Sequence, residues 1–132
     1  MLLLKKYIKT NRGQALVEFA LMMPVLLLLV VGVMEFGLII HQYMVVAEAA
    51  REGARSAAVG SSDATVTSIA TTAASQIPAG QLTITISPPT ARVRGSGVTV
   101  TVETPVQAVT GIISPFFPPG FKIQGIATMR VE

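Results

Sequence analysis

Residues 12–40, RGQALVEFALMMPVLLLLVVGVMEFGLII, decide the architecture of this 132-residue chain. From Phe19 to Ile40 every residue except Glu35 is apolar, and at about 1.5 Å per residue a helix of this length reaches roughly 33 Å, enough to cross a bilayer with slight tilt. Glu18 stands just inside the start of the run. A lone carboxylate in a lipid-facing helix costs about 3 kcal/mol on lenient insertion scales, so its presence marks a partner or a site. Pro24 lacks an N–H and crowds the carbonyl of Ala20, which predicts a kink or a loosened turn of a kind that membrane helices tolerate.

Working outward, the flank before the run is basic. Lys5, Lys6, Lys9 and Arg12 face no acidic residue there, which by the positive-inside rule puts the N-terminus in the cytoplasm and everything after His41 outside. Of the ten Lys and Arg, these four lie in residues 1–13, leaving six against seven acidic side chains, so the net charge of +3 is a property of the leader. No basic stripe with interleaved aromatics remains to track phosphates, so we expect no nucleic acid as a partner. The 51% hydrophobic content and mean hydropathy of +0.63 exceed the needs of a soluble domain. With no cysteine and only His41 as histidine, a zinc site, a disulfide framework or a Ser/His/Asp triad has little to be built from. The remaining carboxylates are scattered and no GxxxxGK[ST] loop occurs, so we expect no enzyme and no cofactor.

The helical pattern continues past the apolar run. In residues 44–59, MVVAEAAREGARSAAV, Glu48, Arg51, Glu52 and Arg55 share one face. The opposite face is small: Ala50, Gly53, Ala54, Ala57 and Ala58 allow another backbone to approach closely. That backbone is either a neighbouring subunit's helix or the chain's own sheet, and the sequence favours neither. Gly60-Ser61-Ser62-Asp63 is a helix stop followed by a cap, predicting a second helix over 64–77 with Val66, Ile69, Ala70, Ala73 and Ile77 inward, ended by Pro78.

From Gln81 the period becomes two. Leu82, Ile84 and Ile86 alternate with polar residues, as do Val98, Val100 and Val102, and a third strand closes the chain with Ile123, Gly125, Ala127, Met129 and Val131 on one face. Arg92 and Arg94 fall on the connection between the first two strands, where we expect a solvated tip. Residues 104–122 carry Pro105, Pro115, Pro118, Pro119 and Gly120 among Phe116, Phe117 and Phe121, an ordered loop that is either a partner-binding surface or, the reading we favour, one whose phenylalanines fold over the sheet of a domain short of core residues.

Four segments in order, RGQALVEFAL, MEFG (34–37), AAREGAR (49–55) and ATMRVE (127–132), resemble the TadE-like family, the pseudopilins of tight-adherence pilus systems within the type IV pilin class. The resemblance implies cleavage by a prepilin peptidase between Gly13 and Gln14, so that Glu18 lies close behind the new amino terminus and meets the amine of a neighbouring subunit. Gln14 stands where ordinary type IV pilins carry phenylalanine. It further implies the cytoplasmic membrane, the peptidase and other pilin or pseudopilin subunits, in homo- or hetero-oligomers, as partners.

The expected fold class is α+β: a leader over 1–13, a transmembrane helix over 14–41 that extends through 42–60, and a small outer domain over 61–132 with a short second helix and a three-stranded antiparallel sheet. A continuous helix over 14–59 would be about 69 Å long. Two other functions compete. One is a single-pass tether whose outer domain binds a ligand or partner. The other is a secretory protein cut at Ala47-Glu48-Ala49, disfavoured because typical signal-peptide cores run only about 7 to 15 residues.

Overall fold

The computed structural model describes residues 11–89, 92–111 and 114–132; the leader up to residue 10 lies outside the described residues. The first helix, α1 (Asn11–Ala58, 48 residues), runs unbroken through Pro24 and, at about 1.5 Å per residue, is roughly 72 Å long. It ends where the sequence places its stop. Gly60, at φ +85°, adopts the left-handed conformation, the Gly60 amide donates to the Ala57 carbonyl (3.2 Å) and that of Ser61 to Ser56 (3.3 Å), the paired bonds of a Schellman cap. The chain then restarts at α2 (Asp63–Ala73), whose N-cap Ser62 accepts from the Thr65 amide at 3.3 Å through its Oγ.

Helix α2 is shorter than the periodicity over 64–77 suggests. Ser75 and Ile77 donate to the carbonyls of Thr72 and Ala74, three residues back, so the last turn tightens before Pro78, a residue that disfavours helical backbone in the one preceding it. Ile77 is buried all the same, delivered by this turn and not by the helix.

Strands β1 (Thr83–Ser87), β2 (Gly97–Pro105) and β3 (Lys122–Arg130) form one antiparallel sheet in sequential order. Ile84 pairs with Val102 and Ile86 with Val100 on one side, while Val100 faces Ala127 and Val102 faces Gly125 on the other, so the inward residues of the strands share one face. That face lies on the C-terminal half of α1. Val98, Val100 and Val102 are fully buried with Val46, Ala49, Ala50, Ala54 and Ala57 of α1 and Val66 and Ala70 of α2.

The side chains at this junction are small for a geometric reason. A Cβ built on Gly125 would lie 2.6 Å from the Val46 carbonyl oxygen and 2.9 Å from the Ala47 Cα, so β3 lies directly on the α1 backbone. A Cβ on Gly53 would meet the side chains of Val100 at 3.1 Å and Ala70 at 3.4 Å. Ala50, Gly53, Ala54, Ala57 and Ala58 are thus covered from within the chain, between α2 and the sheet.

Arg92 corrects an expectation. Its side chain is only 6% exposed: the guanidinium pairs with Asp63 at the start of α2 and donates to the carbonyls of Ser61 and Ala57 at the end of α1. A planar group with several donors suits these diverging acceptors, and it joins the two helix ends to the β1–β2 connection. Arg94, two residues on, is exposed as expected of the tip.

Candidate functional site

Helix α1 has two surfaces of opposite character. Its C-terminal half is packed against the domain, whereas residues 13–30 are exposed all round, and α1 is long and apolar enough to cross a membrane, with none of its most apolar stretch buried. Gly13 and Gln14 lie inside this helix and are exposed, as is Glu18. Among the described residues nothing bonds or pairs with the Glu18 carboxylate, which therefore projects from an apolar cylinder that no part of the domain covers. Glu18 lies four residues after Gln14, about 6 Å along the axis, so the two residues fall on one end of the helix.

Glu35 is different. It is 2% exposed although it sits between exposed Met34 and Phe36. Thr110, 75 residues away in sequence, covers it: its amide donates to Oε1 at 2.9 Å and its hydroxyl to Oε2 at 2.6 Å. Such charge-assisted bonds offset the desolvation of the carboxylate and pin the β2–β3 connection to the helix. His41, two turns further out, instead bonds Gln76 at 2.7 Å, joining the helix to the segment after α2.

The β2–β3 connection is where the sequence misleads most. Phe116 is 83% exposed, Val109 74% and Phe121 44%, so these side chains do not fold over the sheet. Phe117 is half-buried and stacks on Phe121, with centroids 5.2 Å apart. The sheet had no need of them, because α1 itself covers its inner face with alanines and Val46.

The signal for the Glu35–Thr110 contact was faint: a carboxylate in an apolar run and, far off, a hydroxyl before Gly111, which takes a positive φ of 69°. No spacing rule connects them.

A helix that is bare and apolar at one end and welded to a small α+β domain at the other defines a protein with one helix able to cross a membrane. Residues 13–55 match the family model described as TadE-like protein, so this segment, which begins at Gly13 and ends with AAREGAR, is TadE-like; the terminal ATMRVE lies beyond the match. No curated protein and no solved structure matches the chain.

Proposed function

We propose that the chain is a pilin-like subunit of a Tad pilus system, anchored in the cytoplasmic membrane by α1, clipped between Gly13 and Gln14 by a prepilin peptidase and then assembled through its helix with other pilin or pseudopilin subunits. The observation that carries this reading is Glu18, exposed and unpaired among the described residues on an uncovered apolar helix, five residues after Gly13 and inside the TadE-like segment. Alone in lipid it is a cost; opposite a newly created ammonium it becomes a register mark, since two charges buried as a pair avoid most of the penalty that either suffers alone. The role is structural and non-catalytic, and it needs no cofactor.

Because Ala50, Gly53, Ala54, Ala57 and Ala58 are covered by the chain's own domain, subunit contacts on this reading fall to the bare part of α1, around Glu18. The same coverage also suits a simple tether, in which the outer domain acts without entering a filament. Glu18→Ala separates the two: the assembly role requires loss of pilus formation with membrane insertion retained, and a variant that still forms pili at the normal level would leave the tether standing.

A further inference from the structure

The geometry points to a second membrane contact in this chain: the β2–β3 connection, through Val109, Phe116 and Phe121, seats in the outer face of the same bilayer that α1 crosses. It rests on the membrane-spanning role of α1 and adds a lipid-binding surface to it.

Depth is fixed by the helix. Exposed apolar side chains continue past Glu35 through Phe36, Leu38 and Ile40, and polar residues resume only at His41 and Gln42. The Thr110 contact at Glu35 therefore sits five residues, about 7.5 Å, below the end of the apolar surface. Interfacial elements bury their apolar side roughly 5–10 Å into the boundary between headgroups and acyl chains, so the connection spans that layer, from Pro105, whose carbonyl accepts from Gln42 at 3.3 Å, down to Thr110 at Glu35.

The chemistry of the connection agrees with its place. Residues 105–121 contain no Asp, Glu, Lys, Arg or His. Pro105, Pro115, Pro118 and Pro119 have no N–H to desolvate, and the Val106, Phe117 and Phe121 amides donate to the carbonyls of Phe121, Ser114 and Pro118. Large apolar side chains left bare on a small domain call for a cover, and the surface continuous with them is the lipid-facing part of α1. The first charge after the connection, Lys122, is paired with Glu103 at 3.3 Å on the face of the sheet away from α1.

The chain has no tryptophan, so single indoles report cleanly. Full-length Phe116→Trp, and Leu26→Trp as a probe of the span, would be reconstituted in vesicles of phosphatidylcholine and phosphatidylglycerol. Phe116 is exposed, so its replacement leaves the fold intact. Lipid brominated high on the acyl chain should remove about half of the Phe116→Trp emission, with weaker quenching by deep bromines and little by aqueous acrylamide, as for a side chain at the interface; Leu26→Trp should respond most to the deep bromines.

If Phe116→Trp is quenched by acrylamide and not by bromolipid while Leu26→Trp responds to deep bromines, the span stands and the second contact is refuted. An indole at position 116 shielded from both quenchers would place a second copy of the chain over it and equally overturn the proposal. Failure of both indoles to sense bromolipid would remove the span itself and this contact with it.

Discussion

Replacing Gly125 with alanine probes the place where sheet and helix meet most closely. The new Cβ would lie 2.6 Å from the Val46 carbonyl oxygen, 2.8 Å from its carbon and 2.9 Å from the Ala47 Cα, whereas ordinary contacts begin at 3.4 Å. All three are backbone atoms, so no side chain can rotate away. Relief requires β3 to withdraw by about 0.8 Å, and a gap of that size forfeits a quarter to a half of each dispersion contact along the junction. With Val46, Ala49, Ile123 and the β2 valines all sharing that junction, the cost should lie near the top of the usual range for overpacking, about 3 kcal/mol. Gly53→Ala is the internal control. Its Cβ meets only side-chain atoms of Val100 and Ala70, and a helical Gly→Ala change contributes up to about 1 kcal/mol, so its net effect should stay within about 1 kcal/mol of zero. Hydrogen exchange of the β2 amides in detergent-solubilised protein reads both. Gly125→Ala should raise their exchange through global opening roughly a hundred-fold and Gly53→Ala by less than about ten-fold, since 1.4 kcal/mol is a factor of ten. Equal protection in the two variants would refute the close approach.

Three further outcomes follow from named contacts. Arg92→Ala, which removes the guanidinium bonds to Asp63 and to the carbonyls of Ser61 and Ala57, should destabilise the domain by about 3 kcal/mol, and Arg92→Lys should recover only part of it because an ammonium cannot reach these acceptors at once; thermal unfolding of the two variants checks this. Thr110→Val removes a hydroxyl bond to a charged group worth about 1.5–3 kcal/mol, so exchange and proteolysis in residues 106–111 should rise while the β2–β3 ladder keeps its protection. Glu35→Ala should loosen the same connection, with Thr110 losing its acceptor; unchanged proteolysis in both variants would mean that the contact does not hold the connection in place.

What the sequence disclosed, and what it hid, divides by the range of the interaction. Helix α1 was legible because apolar length and a charged flank are local properties, and its end at Gly60 because a glycine cap is local too. The strands were legible through alternation, including the inward Gly125, although nothing in the alternation says that the α1 backbone occupies the space above it. The small face of α1 was visible as a face, but its cover was not, since the same alanines serve a neighbour's helix or the chain's own sheet. Arg92 was misplaced because turn residues are usually solvated, and the acceptors that bury it come from two helix ends some thirty residues away. The phenylalanines were misplaced by treating large apolar side chains as core material in a domain whose core is made of alanine and valine. Glu18 was readable as a position and stays so: the structure shows it bare among the described residues, the state from which a partner would take it up.

Assembly through Glu18 requires a cut between Gly13 and Gln14. Intact and tandem mass spectrometry of the chain purified from cells with an active prepilin peptidase should find a mature species whose first residue is Gln14, leaving its amine close to Glu18. A chain that keeps Met1, or one that begins at Ala50, would contradict it, the first by leaving no new amine for Glu18 to meet and the second by removing Glu18 and the membrane helix altogether.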